Sequence, residues 1–63
     1  MNKFDFGQFI RGSREARKLD IDFCSSSLKI HRKYLEAIEV NDYSIFDNYY
    51  QAQGFVQNYL EFL

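Results

Sequence analysis

The spacing of apolar and polar side chains predicts helices and no sheet. In residues 5–18, one face at three- and four-residue intervals carries Phe6, Ile10, Ser13, Arg14 and Arg17. This is the period of an amphipathic helix, so we expect a first helix there. No segment sustains the two-residue alternation of a half-buried strand, and the chain is therefore predicted to be all-α.

A short second helix and a longer third helix follow. Asp20 is a predicted N-cap for a helix over residues 21–27, because its carboxylate can accept a free backbone N–H. Residues 28–30 form a tight connection to a helix over residues 31–40. Asn41 marks the end of that helix, since Asn tolerates the left-handed conformation. A short helix, a tight turn and a helix of about ten residues form the helix-turn-helix arrangement.

The rest of the chain is predicted to be a short extended stretch and a fourth helix. In residues 43–46, Tyr43 and Phe46 are expected to fill the core. Asp47 or Asn48 can cap a helix that runs to the end of the sequence. The predicted fold is an all-α, four-helix domain with a helix-turn-helix core.

Composition limits the chain to a single small domain over residues 1–63. Twelve Phe and Tyr side chains supply bulk for a core, and Cys24 is the only cysteine. An intrachain disulfide is therefore excluded, and a reducing cytoplasm is the expected setting. His31 is the only histidine, so no Cys/His zinc set exists. Without a nucleophile–base pair or a phosphate loop, we expect no enzyme, no cofactor and no small-molecule substrate.

Charge is divided between the two halves of the chain. All eight Lys and Arg residues lie in residues 1–33, which carry +4, whereas residues 34–63 carry five acidic side chains and no basic one. A basic half suits an anionic partner such as nucleic acid or a membrane surface. Pairing between the halves is the alternative.

Two segments resemble a known family. Residues 34–46, "YLEAIEVNDYSIF", and residues 52–63, "AQGFVQNYLEFL", are similar to the N-terminal cytoplasmic domain of the RodZ-like cell-shape proteins of bacteria. The first half resembles the wider repressor-like superfamily, which implies a four-helix, repressor-like (lambda-repressor or XRE type) helix-turn-helix domain. The resemblance implies a fragment of a single-pass protein, with this domain on the cytoplasmic face of the inner membrane. It also implies an adaptor that binds the actin-like filament protein MreB and links it to the membrane and the cell-wall machinery.

The fourth helix contains the candidate partner surface. On a helical wheel, Ala52, Val56, Tyr59 and Leu63 lie within about 40° of one line and form the predicted core stripe. The apolar arc extends beyond this stripe toward Phe55 and Phe62, and Gly54 falls on the outer side. The resemblance maps the MreB-contacting aromatic positions onto Gln51 and Phe55. The candidate partner residues are Tyr50, Gln51, Gly54, Phe55, Asn58 and Phe62.

Two further sets of residues carry expectations. In repressor-like domains an Arg late in the first helix pairs with a Glu that closes the third, and by position Arg14 and Glu39 match this structural ion pair. The alternative to an adaptor is a DNA-binding regulator that uses Lys29, Arg32 and Lys33 at the start of the third helix. Acidic Glu36 in the next turn, and the lack of basic residues after Lys33, favour the adaptor.

Overall fold

Four helices connected by short turns make up the fold. The computed structural model describes residues 4–63. The helices are α1 (Phe6–Ala16), α2 (Ile21–Leu28), α3 (Arg32–Glu39) and α4 (Tyr49–Phe62). No strand occurs within the described residues. The predicted all-α helix-turn-helix fold is confirmed, with each helix end within two residues of its expected place.

A side chain caps the N-terminus of every helix. The side chains of Asp5, Asp20 and Asn48 each accept the backbone N–H three residues ahead. At α3, Nδ1 of His31 accepts the N–H of Lys33 at 3.0 Å. Free N–H groups at helix starts need such partners, so Asp20 and Asn48 confirm the predicted starts of α2 and α4. His31 lies one residue before α3.

Left-handed residues form the two turns around α3. Lys29, at φ 57°, ends α2, and Asn41, at φ 60°, follows α3. Ser25 stabilises the α2–α3 turn, because its hydroxyl donates to the carbonyl of Ile30 at 2.6 Å. The left-handed turn predicted at Asn41 is confirmed, whereas the one at Lys29 had no sequence signal, since Lys rarely adopts this conformation.

Asn41 also joins the end of α3 to the start of α1. Its side-chain oxygen accepts the N–H of Gly7 at 2.9 Å, and its amide donates to Asp5 at 2.7 Å. The bond from Asn41 lowers the pKa of Asp5 below its usual value. The Asp5 carboxylate, which also caps α1, is therefore held in its charged form.

Gly7 lets α1 cross α3 at very short range. A Cβ atom on Gly7 would lie 2.5 Å from the carbonyl oxygen of Glu39 and 2.8 Å from that of Ile38. Any other residue would force the two backbones apart. This role could not be predicted from the sequence, because an isolated glycine carries no pattern of its own.

Eight apolar residues from all four helices and two connections are buried in one core. Leu35 and Ile38 of α3 are fully buried. Arg17, in contrast, is exposed, because it lies past the last turn of α1. The core consists of Ile10, Cys24, Ile30, Leu35, Ala37, Ile38, Phe46 and Tyr59.

The connection between α3 and α4 differs from the prediction. Residues 43–46 form a turn instead of an extended stretch, with the N–H of Phe46 donating to the carbonyl of Tyr43. Phe46 is buried as expected, but Tyr43 is exposed and packs against the ring of Phe46 at a centroid distance of 5.9 Å. Because the chain turns here, the rings of Tyr43 and Phe46 lie at different depths, and only Phe46 enters the core.

α4 turns its predicted core stripe inward, together with two neighbouring rings. Tyr59 is fully buried, and Ala52, Val56 and Leu63 pack against the core as expected. Phe55 and Phe62 also pack against the core. On the other flank, Tyr49 and Leu60 are exposed. The buried side of α4 therefore extends from the predicted stripe toward Phe55 and Phe62.

Candidate functional site

Arg14, Glu39 and Tyr59 form a buried polar cluster at the centre of the domain. The guanidinium of Arg14 donates to both carboxylate oxygens of Glu39, at 2.8 and 3.1 Å. It also donates to the carbonyl of Leu19 at 2.9 Å. The hydroxyl of Tyr59 donates to Oε2 of Glu39 at 2.5 Å. The two residues expected to pair thus lie together, and Tyr59 is a third member that the sequence did not indicate.

This cluster holds three helices in register and is closed to solvent. Glu39 is 9% exposed and Tyr59 is fully buried. Burial, and the hydrogen bond to the Glu39 carboxylate, raise the pKa of Tyr59 far above its usual value. A substrate cannot reach these atoms. Their role is to satisfy one buried carboxylate with three charge-assisted or short hydrogen bonds.

The outward side of α4 contains half of the candidate partner residues. We call Tyr50, Gly54 and Asn58 the outer edge; they are spaced by four residues and all are exposed. The side chain of Tyr50 is 80% exposed, and nothing lies within 4 Å of a Cβ built on Gly54. The edge therefore presents an aromatic ring, an uncovered stretch of helix backbone and an amide side chain.

The other three candidate partner residues also have packing roles. The ring of Phe55 lies 5.2 Å from that of Tyr34 and 5.9 Å from that of Phe46, in edge-to-face contacts. Phe62 packs against Phe23 at 6.4 Å. These half-buried rings connect α4 to α2, α3 and the preceding turn.

Gln51 completes the N-terminal cap of α4. Its backbone N–H donates to Asn48, while its side-chain oxygen accepts the N–H of Asp47 at 2.6 Å. This reciprocal arrangement is a variant of the capping box, in which the third helical residue reaches back to the chain before the helix. The side chain of Gln51 is thus used within the domain.

The basic cluster at α3 is partly neutralised by acidic neighbours. The guanidinium of Arg32 bonds to Asp22 on α2 and to Glu36 one turn later, both at 2.8 Å. The ammonium of Lys33 lies 5.1 Å from the ring centre of Tyr34. Lys29 and Lys33 are exposed and form no ion pair within the described part of the chain. Of the three residues proposed for DNA, two have uncompensated charge.

Two grooves border the exposed apolar flank of α4, and the sequence did not indicate either. The first, about 580 Å³, lies beside the first half of α4 and is lined mainly by Tyr43, Phe46, Tyr49, Ala52, Gln53 and Val56. The second, about 420 Å³, lies between α1 and the end of α4 and is lined by Phe9, Ser13, Ala16, Arg17, Leu60 and Leu63.

Other kinds of site find little support among residues 4–63. No group of three His, Cys, Asp or Glu side chains in this range is placed to hold a metal ion. Burial raises the pKa of Cys24, so its thiol is a poor nucleophile. Among the same residues, no helix combines the length and the apolar character needed to cross a bilayer.

Comparison with known proteins gives one match. A family model described as a helix-turn-helix domain matches residues 9–63, which is most of the chain. No curated protein and no solved structure matches the sequence. The matched region includes all of α2, α3 and α4 and most of α1.

Proposed function

The chain belongs to the helix-turn-helix domain family, and from this premise we propose that it is a non-enzymatic adaptor domain that docks onto an MreB-like filament protein. The docking surface is the outer edge of α4. In the full-length protein, this domain lies on the cytoplasmic face of the bacterial inner membrane and links the filament to the membrane and the cell-wall machinery.

The exposure of the outer edge is the observation that carries the proposal. Tyr50 leaves an aromatic side chain in solvent, and aromatic side chains dominate the binding energy of protein interfaces. Next to it, Gly54 leaves the helix backbone uncovered even though glycine weakens a helix by about 1 kcal/mol relative to alanine. Close approach of a partner to the helix backbone explains why a glycine stands at this position.

The RodZ-like residue pattern supports the identity of the partner. Residues 34–46 and 52–63 carry this resemblance, and they include the aromatic cluster of Tyr34, Phe46 and Phe55 that supports α4. The side chains of Phe55 and Phe62 are used in packing, and that of Gln51 is used in capping α4. The residues that remain accessible to a partner are those of the outer edge. The three packed residues set the position of that edge.

Two exposed aromatic residues provide a matched test. Tyr50→Ala should weaken co-sedimentation with MreB-like filaments by about tenfold or more, as expected for an interface hot spot. Phe4→Ala is the control, because Phe4 is also highly exposed but lies before α1 and lines neither groove. Equal binding by both variants and the unmodified domain would contradict the proposed surface.

A substitution at Gly54 should have opposite effects on the stability of the domain and on filament binding. Gly54→Ala should stabilise the domain by up to about 1 kcal/mol, since the added methyl meets nothing and raises helix propensity. The same methyl should weaken filament binding by keeping the partner away from the backbone. If binding is unchanged while stability rises, the close approach at Gly54 is wrong.

DNA binding is the second candidate function. It is favoured by the family and by the exposed ammonium groups of Lys29 and Lys33 at the turn and start of α3. Against it, Asp22 and Glu36 hold Arg32 and bring two carboxylates to the face that would meet phosphates. The net gain in phosphate affinity on this face is therefore small.

A gel shift at low salt tests this second candidate. A DNA-binding domain should shift a duplex probe, lose the shift in Arg32→Ala plus Lys33→Ala, and bind more tightly in Asp22→Asn, which removes a carboxylate near the phosphates. Absence of any shift with the unmodified domain would exclude DNA as the target.

A further inference from the structure

The two grooves lie on one continuous flank of α4. Tyr49, Ala52, Val56, Leu60 and Leu63 follow each other at three- and four-residue intervals and line one groove or the other. We call these five residues the flank stripe; Tyr49 and Leu60 are exposed, whereas Ala52, Val56 and Leu63 are half-buried and also pack against the core of their own domain. They span about 21 Å of helix at 1.5 Å per residue. This side is separate from the outer edge, which faces away from it.

Two antiparallel copies of the flank stripe place side chains of complementary size opposite each other. If two copies of α4 pack antiparallel with Val56 opposite Val56, then Tyr49 meets Leu63 and Ala52 meets Leu60. Two-fold symmetry requires such self-complementarity, because each patch must contact an identical patch. Here a large side chain opposes a small one at Ala52, which allows the helices to approach.

Charges at the two ends of the flank are also complementary. Arg17 lines the second groove beside the end of α4, while Asp47 precedes Asn48 at the first groove. Both side chains are exposed, and neither forms an ion pair among residues 4–63. In the antiparallel arrangement, Arg17 of each copy comes to the end of the partner helix that carries Asp47, and the symmetry produces this pairing twice.

We infer that a second copy of this chain occupies the two grooves, forming a two-fold symmetric dimer through antiparallel packing of α4 against α4. The flank stripe forms the apolar centre of the interface. Arg17 and Asp47 form its charged ends. The outer edge of each copy stays free, so the dimer presents two outer edges to a repeating filament.

Sedimentation over a concentration series tests the association itself. The unmodified chain should change from monomer to dimer as its concentration rises from about 1 µM to 1 mM, a range typical of weak specific complexes. Leu60→Glu should raise the dissociation constant at least about a hundredfold, because it buries a carboxylate in the apolar centre. Asn58→Glu, on the outer edge of the same helix, is the control and should leave the dimer intact.

A charge exchange tests the orientation of the two helices. Arg17→Asp and Asp47→Arg should each weaken the dimer by roughly tenfold at low salt, and the double variant should recover most of the affinity. Recovery requires the two positions to face each other across the interface. Independent, additive losses in the double variant would overturn the antiparallel arrangement.

Crosslinking tests the position of the symmetry axis. In Val56→Cys the two new thiols lie close to the two-fold axis, so mild oxidation should produce a covalent dimer faster than in the control, Gln57→Cys, which faces away. A chain that stays monomeric at 1 mM leaves the grooves to another protein or another segment and overturns the proposal. A dimer unaffected by Leu60→Glu does the same.

Discussion

Two regions of the molecule use the same residue types differently: the α1–α3 contact, which Tyr59 of α4 completes, and the exposed sides of α4. At the first, Gly7 allows backbone contact with Glu39, and Arg14 and Tyr59 satisfy the buried carboxylate. On α4, Gly54 faces open solvent and tyrosines at positions 49 and 50 are exposed. A glycine or a tyrosine thus stabilises the fold in one region and is available to a partner in the other.

This difference predicts which substitutions should affect stability and which should affect binding. Every buried side-chain polar atom among residues 4–63 has a hydrogen-bond partner. Changes at the α1–α3 contact leave such atoms unpaired or force backbones apart, and both effects are costly. Changes on the exposed sides of α4 remove little packing, so their effect falls on association.

The largest effect is expected for the buried ion pair. Arg14→Ala should reduce the free energy of unfolding by about 3–5 kcal/mol, because Glu39 would stay buried with only Tyr59 as a side-chain partner. The control is Arg11→Ala, which breaks the exposed Arg11–Glu15 pair at 3.2 Å and should cost at most about 0.5 kcal/mol. Urea denaturation followed by circular dichroism measures both. Similar losses would mean that the buried pair contributes no more than a surface pair.

The next effect is expected for the helix crossing, where two glycines of α1 can be compared. Gly7→Ala should destabilise the domain by about 2–3 kcal/mol, since the added methyl meets two backbone carbonyls that cannot move independently. Gly12→Ala, which meets nothing within 4 Å, should instead stabilise it by up to about 1 kcal/mol. Thermal melts of both variants give the two signs, and a gain at Gly7 would contradict the close crossing.

A smaller, pH-dependent effect is expected for Tyr59. Its folded-state pKa is raised above the ordinary value of about 10, so the unfolded chain releases this proton first. The contribution of Tyr59 is therefore fully present below about pH 10 and decreases as the pH rises further. Tyr59→Phe should cost about 1.5 kcal/mol at pH 7. It should also show a shallower loss of stability between about pH 9 and 11. Parallel pH curves for the two proteins would argue against a buried, protonated Tyr59.

The smallest effect on stability is expected on the exposed side of α4. Asn58→Ala should change the free energy of unfolding by less than about 0.5 kcal/mol, since its side chain is exposed. Phe55→Ala is the comparison, because it removes a ring that packs on Tyr34 and Phe46 and should cost about 3 kcal/mol. Equal losses of unfolding free energy in the two variants would contradict the distinction between the outer edge and the packed side of α4.

Local chemistry explains why much of the fold could be predicted. Asp20 and Asn48 cap helices through bonds to N–H groups three residues away, and Asn41 adopts a conformation that few other residues tolerate. These interactions depend on near neighbours in sequence, so a pattern can reveal them. The pairing of Arg14 with Glu39, 25 residues apart, came from the repressor-like resemblance and not from spacing.

The sequence by itself determined the four helices, the caps of α2 and α4 and the helix-turn-helix order, because these depend on interactions within a few residues. Only the tertiary structure decided that Gly7 contacts Glu39, that Tyr59 completes the buried cluster and that Phe55 packs inward while Tyr49 and Leu60 stay exposed. A broad apolar arc allows several rotations of a helix. The packing of Tyr34, Phe46 and Phe23 against one side of α4 selects among them.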